Sequence, residues 1–143
     1  MAKAFGIINT SGNHIWVEGM QDYRPIGAFS FLGRYRVIDF PMSNFSNSDI
    51  DRIHVLAGSK PRSLTEHLGS GRHYNINSKR GNVQILFAEH HARNNIYNTD
   101  IAVFAENMAD SIKKMREPYV VIAPSHMVFK QNYKVMLESH IDS

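Results

Sequence analysis

Residues 24–50 read RPIGAFSFLGRYRVIDFPMSNFSNSDI and combine basic, acidic, aromatic and amide side chains more densely than an ordinary buried segment. Two short apolar runs rich in β-branched and aromatic residues flank this stretch, at residues 5–8 and 53–57. Such runs are typical of buried strands, so the stretch connects two strands. We expect this stretch to carry a functional site, because such a density of charged, amide and aromatic side chains is unusual for a core segment.

The rest of the chain alternates between strand and helix patterns. Two more apolar runs predict strands at residues 83–87 and 119–123. Helical patterns fall between or after the strands, at residues 44–48, 63–68, 101–115 and 133–141. This alternation predicts an α/β fold with a mainly parallel sheet and helices on its faces. Ligands bind such sheets at the carboxyl ends of the strands, which here precede the loops after residues 8, 57 and 123.

The composition is that of one globular domain: 143 residues, 43% hydrophobic and 20% charged. The chain has no Cys, which excludes a disulfide framework, thiolate catalysis and Cys-ligated zinc. It has no apolar stretch long enough for a signal peptide or a membrane span, so we expect a cytoplasmic protein without a membrane partner. Because no strand follows the last helical pattern, we expect this chain to be a fragment of a larger domain.

Basic residues are clustered although the net charge of +3 is modest. This clustering indicates anionic ligands. Lys60, Arg62 and Arg72 could form a patch for a phosphorylated effector, an idea that rests on clustering alone. There is no long Lys/Arg run and no extended basic and aromatic stripe, so we expect no nucleic-acid partner.

The sequence GRYRVIDFPMSN at residues 33–44 resembles the G-[KR]-[YF]-R-[IL]-I-D-F-x-L-S-N signature of ADP-glucose pyrophosphorylases, also called glucose-1-phosphate adenylyltransferases. Met42 replaces the usual Leu. Three further segments are similar to family segments in the same order and spacing, at residues 63–71, 81–86 and 119–140. The resemblance covers nearly the whole chain.

This resemblance implies a Rossmann-like, mainly parallel sheet of the nucleotidyltransferase (sugar-nucleotide pyrophosphorylase) type, truncated, acting in bacterial glycogen synthesis. Residues 1–143 would form the N-terminal part of a nucleotidyltransferase-like domain. The C-terminal left-handed β-helix of the family is absent from this sequence.

The family's phosphate loop is altered in this chain. Catalytic members carry G-G-x-G-x-R-L, whose backbone N–H groups cradle the triphosphate of ATP. Residues 9–15 read NTSGNHI instead, so Asn9 and Thr10 replace two glycines. No Lys or Arg lies between Lys3 and Arg24, while Glu18 adds negative charge. We expect this loop to bind a triphosphate poorly.

Three further positions depart from the family pattern. Arg24 keeps the arginine of the R-A-K-P-A segment, but Ile26 takes the place of its lysine. Thr99 replaces the glycine of the sugar-pocket signature G-[ST]-A-[DN]-A. His126 aligns without a gap with the aspartate that holds Mg²⁺. Mg²⁺ prefers oxygen ligands to imidazole, so the resemblance implies a degraded site at Asn9, Thr10, Ile26, Thr99 and His126.

These losses are similar to those of the non-catalytic regulatory subunit of Gram-positive bacteria, which associates with the catalytic subunit. The resemblance thus implies a regulatory partner of glucose-1-phosphate adenylyltransferase, with no cofactor of its own; the catalytic partner would require Mg²⁺. A sugar-phosphate or nucleotide effector is a further expected ligand.

Two alternatives remain open. In an active adenylyltransferase with displaced ligands, Asp22 or Asp100 would bind Mg²⁺, and Arg24 and Arg34 would hold the phosphates. In a sugar-phosphate or nucleotide sensor, the isolated chain would bind ligand without a catalytic partner. His126 tests the first alternative. His126→Asp should change little in an enzyme that binds Mg²⁺ through other ligands, whereas a gain in metal binding would show that the family's metal position is intact.

The remaining signature residues have structural and functional interpretations. Arg24, Arg34 and Arg36 are candidates for anion binding, whereas Asp39, Ser43 and Asn44 form a structural signature. Arg34 and Arg36 could instead pair with Asp39, Asp49 or Asp51 in an ion network. Asn44 and Asn47 are predicted to be helix caps. His67 is either a ligand contact or a hydrogen-bonded loop histidine.

Overall fold

The computed structural model describes residues 3–9, 18–19, 26–57, 62–69, 74, 82–87, 113 and 116–143. The strands are β1 (Ala4–Asn9), β2 (Ser30–Phe31), β3 (Tyr35–Arg36), β4 (Arg52–Ala57), β5 (Asn82–Phe87) and β6 (Tyr119–Pro124). Four of them form a parallel sheet in the order β5-β4-β1-β6, and β2 and β3 form a separate antiparallel pair.

The central strand β1 is buried at all six positions. A continuous apolar run is what a parallel strand covered on both faces requires. Ile7 aligns with His54 of β4 and with Ile122 of β6. All four strands predicted from apolar runs are confirmed, and each is longer than predicted by one or two residues.

Three helices with described bounds accompany the sheet: α1 (Asp39–Asn47), α2 (Arg62–Leu68) and α3 (Tyr133–Asp142). The main core joins Ile8 and Val55 of the sheet to Phe45 of α1, Leu64 of α2 and Tyr133 of α3. The Phe45 and Tyr133 rings stack with centroids 4.9 Å apart. The mainly parallel α/β sheet with packed helices is therefore confirmed.

The helix predictions differ in outcome. The patterns at residues 63–68 and 133–141 are confirmed by α2 and α3. The short helix predicted at residues 44–48 is confirmed at residues 44–47, but its predicted start was wrong, because α1 begins five residues earlier, at Asp39. Pro41 lies in the first turn of α1, where its missing N–H costs no hydrogen bond. The helix predicted at residues 101–115 lies outside the described residues except for Lys113, which is helical.

A small hairpin leads into α1. Its turn contains Leu32 (φ 54°) and Gly33 (φ 72°), both in the left-handed region. Gly33 adopts this conformation without strain because it has no Cβ. The turn leaves Arg34 exposed, and β3 follows it directly.

Among the described helices, none combines the length and the apolar composition that a membrane crossing requires.

Candidate functional site at the carboxyl edge of the sheet

The ends of β1 and β6 bring two predicted site positions together. Asn9, the last residue of β1, aligns with Pro124, the last residue of β6. Ser125 and His126 follow directly, and Ser125 is buried while His126 is half-buried. Asn9 is also buried. This corner lies at the carboxyl edge of the sheet, where parallel α/β folds bind ligands.

The short 3-10 turn Ile26–Ala28 lies against the same corner. A Cβ atom added to Gly27 would lie 3.2 Å from the Ser125 Cβ atom, so the close approach favours glycine at this position. Ile26 is buried beside Phe29 in a small apolar cluster. The position that the resemblance aligns with a lysine therefore contributes packing and no charge.

The segments that carry three of the five positions interpreted as degraded thus meet at the carboxyl edge: Asn9, Ile26 and His126. The other two, Thr10 and Thr99, lie outside the described residues, as does Arg24. In the described ranges, no group of three or more His, Cys, Asp or Glu residues could hold a metal ion. An amide, an alkyl chain and an imidazole supply no carboxylate oxygen for Mg²⁺.

A second polar cluster surrounds Asp39, the first residue of α1. Its Oδ2 accepts the Arg36 backbone N–H at 2.7 Å. Its Oδ1 accepts the Tyr74 hydroxyl at 2.5 Å and lies 2.6 Å from His67 Nε2. Since an ionised carboxylate only accepts hydrogen bonds, His67 donates its Nε2–H. We call these four residues the Asp39 network.

The Asp39 network shifts two ionisation equilibria. Burial tends to raise the pKa of Asp39, but hydrogen bonds from Arg36, Tyr74 and His67 outweigh it and lower that pKa. Burial, together with the nearby Asp39 carboxylate, raises the pKa of Tyr74. The network therefore favours an ionised Asp39 beside a neutral Tyr74.

The arginine side chains of the signature have different environments. One guanidinium nitrogen of Arg36 donates to the Ala28 carbonyl at 2.7 Å and to the Ser63 hydroxyl at 2.9 Å. The predicted pairing of its guanidinium with Asp39, Asp49 or Asp51 is therefore wrong, because protein oxygens on two neighbouring segments accept its bonds. Arg34 is exposed on the hairpin, without an ion pair among the described residues.

The other predicted ion-network partners have different contacts. Asp49 pairs with Lys134 of α3. Asp51 lies near the start of β4 and has no salt bridge within the described part of the chain.

Asn44 and Asn47 are not helix caps, which corrects that prediction. Asn44 lies in the middle of α1 and is buried. Its Nδ2 donates to the Phe129 carbonyl at 2.9 Å, and its Oδ1 accepts the Gln131 backbone N–H at 3.2 Å. Asn47 is the last residue of α1 and is exposed. Asn44 therefore fixes the segment between β6 and α3.

Three further polar residues lie on or next to these helices. Ser43, next to Asn44, is exposed. Ser48, just past α1, accepts the Tyr133 backbone N–H at 2.9 Å. His67 lies on helix α2, which corrects its description as a loop histidine.

The chain matches proteins of known family in three comparisons. The sequence profile of the nucleotidyl transferase family matches residues 21–143. The chain belongs to this family. The match begins after residues 9–15, the segment that the resemblance interprets as an altered phosphate loop, and includes the Asp39 network and the end of β6.

Members of the nucleotidyl transferase family with similar sequences include enzymes and a glycogen biosynthesis protein. The chain is 36% identical to glucose-1-phosphate adenylyltransferase of Clostridioides difficile over 79% of this chain and 29% of that protein. The Clostridium novyi enzyme is 38% identical over 79% of this chain and 30% of that protein. The glycogen biosynthesis protein GlgD of Geobacillus stearothermophilus is 30% identical over 99% of this chain and 41% of that protein. The chain thus spans less than half the length of these relatives.

The fold is shared with a solved structure. A Bacillus anthracis protein described as a glucose-1-phosphate thymidylyltransferase superposes with a TM-score of 0.69 at 15% identity. The superposition covers 97% of this chain and 50% of that one. At this identity the likeness confirms the nucleotidyltransferase fold alone.

Sequence reasoning did not identify two residues that complete these clusters. Tyr74 stands alone in a polar segment, 35 positions from Asp39 in sequence. Ser63 belongs to a segment that is similar to a family segment, but nothing in the sequence indicated that its hydroxyl accepts a hydrogen bond from Arg36.

Proposed function

We propose that this protein is a non-catalytic regulatory subunit of glucose-1-phosphate adenylyltransferase, the enzyme that converts ATP and glucose-1-phosphate to ADP-glucose and pyrophosphate in glycogen synthesis. The observation that carries the proposal is the carboxyl edge of the sheet, where Asn9 aligns with Pro124, two residues before His126, and the turn that begins at Ile26 lies against Ser125. Transfer of a nucleotidyl group depends on positioning and on neutralising phosphate charge. The side chains of Asn9, Ile26 and His126 supply neither a carboxylate for Mg²⁺ nor an ammonium group for phosphate.

The comparisons support the same proposal. GlgD aligns with 99% of this chain, whereas the C. difficile and C. novyi adenylyltransferases align with 79%. The family profile leaves residues 1–20 unmatched, and these include the altered segment 9–15. The chain thus has the motif that forms the Asp39 network, whereas its phosphate-loop segment departs from the family pattern. This combination fits a subunit that acts through its fold and its contacts with a partner.

The proposal implies a partner and a compartment. The partner is the catalytic adenylyltransferase subunit, and the complex would be a cytoplasmic hetero-oligomer. A sugar phosphate or nucleotide could act as effector through the exposed Arg34.

Pyrophosphate release tests this function directly. The reaction contains ATP, glucose-1-phosphate and Mg²⁺, with this protein alone, the catalytic subunit alone, or both. We expect no turnover by this protein alone and a higher rate in the mixture than with the catalytic subunit alone. Serum albumin at equal concentration replaces this protein in the control, because any added protein can stabilise a dilute enzyme.

The second candidate function is an active adenylyltransferase with displaced ligands. The exposed arginine on the hairpin favours it, because Arg34 remains able to approach a phosphate. Turnover by this protein alone, lost on Asp100→Asn or Asp22→Asn, would establish this activity and remove the regulatory proposal.

A further inference from the structure

A groove of about 1080 Å³ opens at the amino edge of the sheet, away from Asn9 and His126. The starts of β1 and β4 and one side of α3 line it. Ala4, Ile50, Leu137 and Ile141 give it an apolar lining, and Ile141 is 40% exposed. This volume lies just above the range of small-molecule pockets, roughly 300–1,000 Å³, and leaves room for several side chains of a polypeptide segment.

The groove is acidic although the whole chain carries a net charge of +3. Its cations are Lys3, Arg52 and Lys134, and its carboxylates are Asp49, Asp51, Glu117, Glu138 and Asp142. Two cations are already paired, Arg52 with Glu117 at 3.3 Å and Lys134 with Asp49. Asp51, Glu138 and Asp142 have no ion pair within the described residues, against one such cation, Lys3, so the groove has an excess of negative charge.

The exposed side of α3 contributes both kinds of lining to the groove. Its apolar residues Leu137 and Ile141 lie in the groove together with its carboxylates Glu138 and Asp142. Apolar lining and unpaired carboxylates therefore favour one kind of occupant, a segment that carries both apolar and cationic side chains.

We propose that the amino-edge groove docks a basic, amphipathic segment of the catalytic adenylyltransferase subunit. This inference rests on the proposed function. Apolar side chains of the segment lie on Ile50 and Leu137, and its Lys or Arg side chains face Asp51, Glu138 and Asp142. Because the groove lies at the amino edge, docking leaves the carboxyl edge open for an effector.

Charge reversal in the groove tests this proposal. Association of this protein with the catalytic subunit is measured by sedimentation velocity for wild type, Glu138→Lys and Asp142→Lys. Glu66→Lys is the matched control, because Glu66 is an exposed helical glutamate outside the groove. We expect each groove variant to weaken association about tenfold and Glu66→Lys to change it less than about twofold. Added salt should weaken the wild-type complex, since screening acts on exposed charges.

Three results are decisive. Circular dichroism first establishes that the variants are folded; Lys near the C-terminus of α3 is compatible with the helix. Weaker association of Glu138→Lys and Asp142→Lys, with Glu66→Lys unchanged, supports the groove as the docking site. Equal association of all four proteins overturns the groove and leaves the regulatory role standing. No association of the wild type, together with no effect on pyrophosphate release, overturns both.

Discussion

At the scale of the residue, Asp39 explains why the signature stretch is so polar. Its carboxylate receives hydrogen bonds from β3, α2 and Tyr74, so one side chain joins three segments. Its place in the motif was evident from the sequence. Its partners His67 and Tyr74 were not, because contacts across 28 and 35 residues depend on the fold and leave no local pattern.

Tyr74→Phe should destabilise the protein by about 2 kcal/mol, since hydrogen bonds to charged groups contribute roughly 1.5–3 kcal/mol. The substitution removes only the hydroxyl that donates to Asp39 Oδ1 at 2.5 Å. Tyr35→Phe is the matched control, because Tyr35 is 46% exposed. The control should change stability by less than about 0.5 kcal/mol. Urea unfolding at pH 7 measures both free energies.

The pH dependence of this difference identifies its origin. The unfolded tyrosine ionises near pH 10. Because the pKa of Tyr74 is raised in the folded protein, wild type loses this stabilisation as pH rises above about 10. The pKa of Asp39 is lowered in the folded protein, so its contribution is lost as pH falls below about 4. The difference between wild type and Tyr74→Phe should therefore be largest between these limits. A difference independent of pH would contradict this assignment.

At the scale of the element, α1 connects two parts of the molecule. Its first residue, Asp39, holds the Asp39 network, and Asn44 and Ser48 hold the segment that leads from β6 into α3. The sequence predicted α2 and α3 well because their patterns are regular. The predicted start of α1 was five residues too late, because no apolar period marks the first turn of this helix. That turn begins at Asp39, which accepts the Arg36 backbone N–H, and it contains Pro41.

Asn44→Ala should cost about 2 kcal/mol of stability, because two hydrogen bonds to a buried side chain are lost. Ser43→Ala is the matched control, since Ser43 is the exposed neighbour on the same helix. It should change stability by less than about 0.5 kcal/mol. Urea unfolding measures both variants.

Amide hydrogen exchange provides the local signature of Asn44. The Gln131 N–H donates to Asn44 Oδ1 in the folded protein, so it should exchange faster in Asn44→Ala than in Ser43→Ala. Similar stability and exchange in the two variants would show that Asn44 does not hold the segment.

At the scale of the whole molecule, the sheet was the most predictable feature. Four apolar runs predicted its strands. In the parallel register of β1 and β6, Asn9 lies beside Pro124, two residues before His126. This is why part of the candidate site followed from sequence and resemblance. The amino-edge groove did not, because it depends on how α3 packs across the starts of β1 and β4.

The outer strand β6 leads to a prediction about the whole chain. Within the described residues, no strand is hydrogen-bonded to its outer side, and Val120 and Ile122 are 38% and 40% exposed. An open apolar edge favours pairing with another chain. We expect this 143-residue chain to self-associate as concentration rises, with a sedimentation coefficient that increases accordingly.

A charge on this edge should suppress that association. Ile122→Lys places a cation beside the open edge, where charged side chains oppose pairing between strands. Val135→Lys is the matched control, because Val135 is 61% exposed on α3. Sedimentation velocity should show a smaller concentration dependence for Ile122→Lys and an unchanged one for Val135→Lys. An equal reduction in both variants would mean that net charge, rather than the β6 edge, governs self-association.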